Sequence, residues 1–266
     1  ESQVFTRVIE VPPLSKRELY SAIKWEAEQY IPLPLDQVNI DFSVLRNAKE
    51  TPTKKMEVLL VAAPKALIDR YIRYVESAGL LVTGVETEII AASRSLVQSA
   101  ATVKTALIVS IGAKTTDLAI LRNGVLAFTR SISSGGEALS RAIMQSLGFQ
   151  QNQAEEFKKA YGLDKTKLEG KLVDAVKPIM DTILSEMSRA ISYYQERYTE
   201  DRVEVVFLSG GTARIPGMVV YIADSVGLEV QLANPWIGIE MDKRFAVLAN
   251  EGPTFAVAVG LGLRER

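Results

Sequence analysis

Ser110-Ile-Gly-Ala-Lys-Thr-Thr-Asp117 lies between two apolar runs, Ala106 to Val109 and Leu118 to Leu121, and the second run leads through Arg122 into Asn123-Gly124 and Val125-Leu-Ala-Phe-Thr-Arg130. Asn-Gly between apolar runs marks a tight hairpin, because both central residues of that turn need positive φ. The stretch is therefore predicted to be a β-meander, with the glycine segment in its first turn and Asn123-Gly124 in the second. Gly112 and the hydroxyls of Thr115 and Thr116 would face whatever the first turn encloses. A second glycine segment, Leu208-Ser-Gly-Gly-Thr-Ala-Arg-Ile-Pro-Gly217, also follows an apolar run, Val203 to Phe207. Each is a strand-to-turn site at which bare backbone can approach a phosphate or a nucleoside.

Composition removes whole classes of chemistry. Among the 266 residues there is no histidine and no cysteine. A Ser-His-Asp or Cys-His nucleophile, a His or Cys zinc site, His-ligated haem and disulfides are therefore excluded. Any catalysis would fall to carboxylates, lysines, hydroxyls or a metal held by oxygen. Lys and Arg number 31 against 32 Asp and Glu, a net charge of -1, which argues against a nucleic-acid-binding face. No continuous apolar stretch has the roughly 18 to 20 residues needed to span a bilayer, so no direct membrane insertion is expected, and no signal peptide opens the chain. Cysteine-free composition fits a reducing compartment. The chain starts at Glu1 and enters a strand, Val4 to Val11, with no lead-in, which reads as loss of the N-terminus of a longer protein.

Elements alternate along the sequence. Ser15-Lys-Arg-Glu18 forms a capping box. The helix it opens runs to about Tyr30, with Leu19, Ala22, Ile23 and Ala27 on one face, and must stop before Pro32 and Pro34. Asn47 to Lys55 reads as a solvated loop, and Met56 to Ala63 as an apolar strand. Lys65 to Ala78 reads as a helix with Leu67, Ile68, Tyr71, Ile72 and Val75 as its buried stripe and Gly79 at its C-terminal cap. Val82 to Val85 reads as another strand. A helix follows from Glu88 to about Ser99. After the meander, Gly135-Gly136 precedes a helix ended by Gly148. Asn152-Gln-Ala-Glu155 caps a short helix that ends at Gly162. Leu172 to Tyr198 forms the longest helix, whose Met180 and Met187 are core filler. A helix follows Pro216 and is capped by Gly227, and Pro253 opens a last one.

The order of Ile-Gly-Ala-x-Thr-Thr-Asp, hairpin, Gly-Gly-Glu, Ala-Glu-x-x-Lys-x-x-Tyr-Gly, long helix and Ser-Gly-Gly-Thr-Ala-x-Ile-Pro-Gly resembles the actin-like ATPase superfamily. Within it, Ile23-Lys-Trp-Glu-Ala-Glu-Gln-Tyr-Ile-Pro-Leu-Pro34 and Met56-Glu-Val-Leu-Leu-Val-Ala-Ala-Pro64 resemble the PilM family of type IV pilus assembly proteins. FtsA, the cell-division relative, is the nearest confusable family. The resemblance implies an α/β, actin-like (RNase H-like) nucleotide-binding fold with an inserted small α/β subdomain and without the N-terminal strands of the first lobe. Residues 1–82 would be the inserted subdomain and 83–104 a connecting helix of the first lobe. Residues 105–240 would be the second lobe, and 241–266 a C-terminal helix returning to the first.

The resemblance also implies ATP or ADP, with Mg²⁺, as ligand. It places Gly112, Ala113, Lys114, Thr115 and Thr116 in the second phosphate loop, and Gly135, Gly136 and Glu137 on the ribose and phosphate side. Glu155 and Lys158 would reach the ribose and base, and Gly210, Gly211, Thr212 and Ile215 form the adenosine motif. Its implied partner is the cytoplasmic N-terminal peptide of the inner-membrane protein PilN, together with other inner-membrane pilus assembly proteins and motor ATPases. The location would be cytoplasmic, at the inner face of the inner membrane through that partner. Trp25 lies off the Leu19, Ile23, Ala27 stripe and is the candidate partner anchor.

Two departures weaken catalysis. Relatives usually carry Asp where Ser110 stands, and a neutral hydroxyl is a poorer ligand for Mg²⁺ than a carboxylate. Only one phosphate hairpin is present, whereas phosphoryl transfer needs groups on several sides of the phosphates. No catalytic residue or metal ligand is assigned, and ATP turnover is expected to be weak or absent. The competing readings are a sugar or acid kinase of the same superfamily, which would need a catalytic Asp, and an FtsA-like membrane tether. The tether reading calls for a basic amphipathic helix, and Gly260-Leu-Gly-Leu-Arg-Glu-Arg266 is too short and glycine-rich for one.

Overall fold

Fifteen residues of alternating burial after a Ser-x-x-Glu cap build the first helix. Ser15 N donates to Glu18 Oε2 at 2.8 Å and Glu18 N donates to Ser15 Oγ, so the predicted capping box is formed. The computed structural model describes residues 3–31, 33–51 and 53–264. Pro32, predicted to stop the helix, lies outside them. Two compact units divide between Thr87 and Glu88.

The first unit comprises β1 (Phe5–Val11), α1 (Lys16–Tyr30), β2 (Val38–Arg46), β3 (Met56–Pro64) and α2 (Lys65–Ser77). Its sheet has the order β1-β3-β2, with both neighbours antiparallel to the central β3. Leu19, Ile23 and Ala27 of α1 bury against Ile9, Val11, Val58, Leu60 and Ala62. Arg7 lies 4.3 Å over the Tyr30 ring, and Tyr20 meets Phe42 edge-on at 4.9 Å.

Three features of this unit depart from the sequence reading. β2 went unread, although Val38, Ile40, Phe42 and Val44 alternate with Asn39, Asp41 and Ser43 at the strand period of two. The stripe on α2 is not buried: Leu67, Ile68 and Ile72 are half-buried, while Tyr71, Tyr74 and Val75 are exposed. Periodicity established the helix but said nothing about what covers it. Val82 to Val85 is not a strand, because residues 80–87 take no ladder partner among the described residues, and extended backbone becomes a strand only beside another.

The second unit runs α3 (Glu88–Ala100), β4 (Thr105–Ile111), β5 (Thr116–Arg122), β6 (Val125–Ile132), α4 (Gly136–Leu147), α5 (Gln151–Tyr161), α6 (Lys171–Arg197), β7 (Val205–Ser209), α7 (Met218–Val226), β8 (Glu229–Leu232) and α8 (Gly252–Gly262). Its sheet order is β6-β5-β4-β7-β8: an antiparallel meander joined through β4 to two parallel strands. The second meander turn is as read, with Asn123 and Gly124 at φ 50° and 73°. Alternation along the strands divides the sheet's two faces. Leu107, Val109, Ile111, Leu118, Ile120, Val206 and Leu208 join a core with Leu139 and Ile143 of α4 and Met180, Ile183, Met187 and Tyr194 of α6.

The opposite face carries α3 and α8, which lie against each other. A Cβ on Gly260 would overlap the Ala91 carbonyl, and Arg94 donates to Gly260 O at 2.8 Å. Lys243–Gly262 is helical, and by length and composition, with mean hydropathy 1.2, could cross a membrane. Its second half is α8, built into this unit through Gly260 and through Pro253 O, which accepts from Gly210 N.

At the far end of β4 and β5 from the glycine turn, Lys104 and Arg122 both pair with buried Asp201, and Arg122 lies over the Tyr198 ring at 4.5 Å. Burial opposes the Asp201 charge, but these cations prevail and hold its pKa below the ordinary value.

Gly260→Ala is expected to destabilise the second unit by about 1–3 kcal/mol, because the clash is with backbone that a rotamer change cannot relieve. Thermal unfolding would show a lowered midpoint, and an unchanged one would refute the close approach.

Candidate functional site

Pairing of β4 with β7 in parallel, with Ser110 beside Ser209, brings the turns that follow these strands out at the same end of the sheet. There the chain converges on one atom. Gly112 O accepts from Gly136 N at 2.9 Å and from Thr212 Oγ1 at 3.2 Å. Gly112 N donates to Thr115 O at 2.9 Å, closing the turn, and Glu137 N donates to Ala113 O at 2.8 Å. Segments 112–115, 135–137 and 210–212 are thus stitched together, the first two through backbone and the third through the Thr212 hydroxyl. A Cβ on Gly135 would lie 2.7 Å from Gly112 O, one on Gly136 would overlap Thr212 Oγ1, and one on Gly210 would overlap the Ile111 carbonyl. Gly210 also has φ 85°.

The first two donors of α4, at Gly136 and Glu137, are consumed by this stitching. The amides of Ala113, Lys114 and Thr115, by contrast, have no backbone acceptor among the described residues. With Ala113 and Lys114 exposed at the tip, the turn offers an anion a set of backbone donors beside an ammonium. The threonine hydroxyls are differently placed from the expectation. Thr115 Oγ1 donates to Asp117 Oδ2 at 2.9 Å and buried Thr116 Oγ1 to Ser134 O at 2.8 Å, so both protons serve the protein.

Helix α5 completes the cluster. Its capping box is Gln150 with Gln153, not Asn152 with Glu155, because the helix begins earlier than its charge pattern indicated. Glu155 is thereby released from capping. Its Oε1 accepts from Lys158 Nζ at 2.7 Å and is in contact with Ser140 Oγ. Lys158 Nζ also donates to Gly136 O at 3.0 Å and Ser140 Oγ at 2.8 Å. Burial opposes the Glu155 charge, and the Lys158 and Ser140 hydrogen bonds overcome it, holding its pKa low. At the other end of α5, Leu163 N donates to Pro216 O at 2.7 Å, and a Cβ on Gly162 would overlap Pro216. The Tyr-Gly and Ile-Pro-Gly segments thus sit backbone against backbone.

Of the remaining candidates, Ile215 is buried in the core, Gly211 is exposed, and Glu137 is half-buried with Arg141 3.8 Å away. Trp25 belongs to the first unit and is 70% exposed.

Asp117 is a residue of this end of the sheet to which the sequence reading assigned no role. It is 2% exposed, opposite Ser110 on β4 and Ser131 on β6. Its Oδ1 and Ser131 Oγ make no hydrogen bond of ordinary geometry, yet the Ser131 hydroxyl is near enough to act with Thr115 in favouring the charged carboxylate against its burial. No group of three or more carboxylates that could hold a metal exists among the described residues. Asp117 with Ser110 therefore fits a Mg²⁺ only as a partial shell, most of it water and phosphate oxygen.

Burial pushes the Asp117 carboxyl above its ordinary value of 3.8. Between that value and the raised one, the native state binds more protons than the unfolded, so stability falls as pH rises through the interval. Asp117→Asn, which can still accept from Thr115, is expected to raise the thermal midpoint at pH 7 and flatten the pH dependence above about pH 4. An equal or lower midpoint at pH 7 would show that the charge is compensated.

The chain matches the family described as type IV pilus assembly protein PilM over residues 1–266. It is similar to a solved chain from a PilM-PilN type IV pilus biogenesis complex, with 29% identity and TM-score 0.85, covering 98% of this chain and 76% of that one. It is 27% identical over 250 residues to cell division protein FtsA of Bacillus subtilis, covering 80% of this chain and spanning 56% of that protein's length. A likeness to MreB5 of Spiroplasma citri bound to ADP, at 18% identity, TM-score 0.53, 76% of this chain and 65% of that one, shows the actin-like fold. On the match along its whole length, this chain belongs to the PilM family of type IV pilus assembly proteins.

Proposed function

We propose that this chain is an actin-like, nucleotide-binding scaffold of type IV pilus assembly that recruits the cytoplasmic N-terminal peptide of PilN. The observation that carries the reading is the likeness, over 98% of the chain, to the protein solved in a PilM-PilN complex. In this reading the protein acts at the inner face of the inner membrane, held there by its partner. Residues 1–82 correspond to the inserted subdomain and contribute Trp25 to the peptide contact.

The nucleotide part rests on the stitched turns. ATP or ADP would place its phosphates on the amides of Ala113 to Thr115 with Lys114 nearby, and its nucleoside against the joined segments Gly135–Glu137 and Gly210–Thr212. Mg²⁺, where present, would supply charge neutralisation at the phosphates. Ser110 and Asp117 would meet it through water. With Glu155 held by Lys158 and no group of three or more carboxylates placed to hold a metal among the described residues, the site suits binding better than turnover. An FtsA-like role is favoured by nothing in the site that distinguishes the two families.

Calorimetric titration with Mg-ADP and Mg-ATP, and separately with a peptide copying the PilN N-terminus, tests the reading. Uptake of both nucleotide and peptide with negligible hydrolysis is expected. Gly136→Ala should lose nucleotide binding, because its Cβ displaces Thr212, while keeping peptide affinity; Trp25→Ala should do the reverse. Vigorous ATP turnover with no response to peptide would overturn the scaffold reading in favour of a kinase.

A further inference from the structure

The β4–β5 turn has spent its acceptors and kept its donors. Gly112 O is taken by Gly136 N and Thr212 Oγ1, Ala113 O by Glu137 N, and Thr115 O by Gly112 N. The amides of Ala113, Lys114 and Thr115 have no acceptor among the described residues. What the turn still offers is therefore mostly N–H, a surface that takes an anion and gives little to a cation.

Lys114 is the middle residue of those three. It is exposed, and its ammonium has no ion pair or hydrogen bond among the described residues. Cations on the neighbouring segments are otherwise committed: Lys158 to Glu155 at 2.7 Å, Arg141 to Glu137 at 3.8 Å, and Arg214 to Glu251. One uncommitted cation thus stands beside three uncommitted amides. A divalent cation finds less at this end of the sheet. Asp117 is a single buried carboxylate, one oxygen of which already accepts from Thr115 Oγ1, and no group of three or more carboxylates exists among the described residues.

We propose that Lys114 supplies at the phosphates the positive charge that a divalent cation would otherwise bring, so that this chain holds a nucleoside di- or triphosphate almost independently of Mg²⁺. That role rests on the nucleotide-binding reading and adds the charge balance of the site to it. With three hydrogens on a flexible stem, the ammonium reaches oxygens that the amides already orient, and hydrogen bonds between charged groups are the strong ones. A lysine and a metal ion drawn to the same oxygens each diminish what the other can add, and by linkage that antagonism has the same size read from either side. A nucleoside without phosphates has nothing for Lys114 to meet.

Titration calorimetry with ADP, in excess Mg²⁺ and in EDTA, on the unmodified protein, Lys114→Met and Lys114→Arg provides the test. The unmodified protein is expected to bind ADP with affinities in the two conditions that differ by about threefold or less. Lys114→Met should lose about tenfold or more in EDTA, the worth of a charge-assisted hydrogen bond, and recover most of it in Mg²⁺. Lys114→Arg, which keeps the charge, should retain most of the affinity in EDTA. Adenosine should bind all three proteins equally, and the thermal midpoint of Lys114→Met should match that of the unmodified protein; a lowered midpoint would mean a structural role instead.

If Lys114→Met leaves ADP affinity in EDTA unchanged, Lys114 is a solvated turn residue and the proposal is overturned while the nucleotide reading stands. Equal losses in EDTA and in Mg²⁺ would overturn it too, as would binding by the unmodified protein that collapses without the metal. Tripolyphosphate separates the readings in the other direction: uptake that depends on Lys114, with none of ADP or adenosine, removes the nucleotide and keeps the charge assignment. Uptake of neither ADP nor tripolyphosphate makes both wrong.

Discussion

A single carbonyl oxygen, that of Gly112, accepts one hydrogen bond from the start of α4 and another from the turn after β7. Three segments distant in sequence must come close enough to share it, two of them backbone to backbone and the third through the Thr212 hydroxyl, and glycines make room for the approach. The glycines at 135, 136 and 210 are needed for that approach more than for turn conformation, since only Gly210 among them has positive φ. The arrangement also divides the available donors. Those of α4 are spent on holding the turns together, which leaves the tip of the β4–β5 turn to meet an anion. The helix N-terminus is thus a structural clamp here, with the hairpin as the open end.

Both ends of the sheet are fixed by polar groups, and the middle by packing. At the far end, Asp201 gathers Lys104 and Arg122 from the bases of β4 and β5. Between them, Val109, Ile111, Leu118 and Leu208 are fully buried against α4, α6 and α7. Such a core gives the turns a rigid base, because side chains at interior density do not allow neighbouring strands to slide. On the reverse face, α3 and α8 approach through Ala91 and Gly260, small residues that let two helices meet almost backbone to backbone. That contact carries Pro253 to the turn after β7, where its carbonyl accepts from Gly210 N and from Ser209 Oγ at 3.0 Å.

Much of the second unit was legible because its signals are local. Asn123-Gly124 demands a particular turn, and Gly148, Gly162 and Gly227 end helices by adopting positive φ. The long period through Met180, Met187 and Tyr194 needs only its own helix to be recognised. Signals that depend on what lies across from an element were not legible. Residues 82–85 have strand composition but no neighbour, and the apolar side of α2 has strand-facing spacing but little to cover it. Within the site, spacing brought Glu155 and Lys158 together. That Gln150 and Gln153 take over the capping role, leaving Glu155 to balance a buried lysine, depends on α5 being capped two residues earlier than Asn152. Asp117 lies beyond the turn in sequence, yet cross-strand register sets it directly beside Ser110.

That register also bears on why a serine occupies position 110. Were an aspartate to stand there, two carboxylates would face each other directly across β4 and β5 inside the protein, and like charges so placed are destabilising. One would stay protonated, or a cation would have to accompany them. With Ser110, Asp117 bears the desolvation alone, partly offset by the hydroxyls of Ser131 and Thr115. The site therefore folds without requiring a metal, and in the scaffold reading a nucleotide can come and go without dismantling it. Loss of the second carboxylate lowers the capacity to organise a metal for phosphoryl transfer, but it does not touch the Gly112 junction. In the scaffold reading binding and turnover are separable for that reason: the junction depends on backbone, three glycines and the Thr212 hydroxyl, whereas turnover would depend on charge at positions such as 110 and 117.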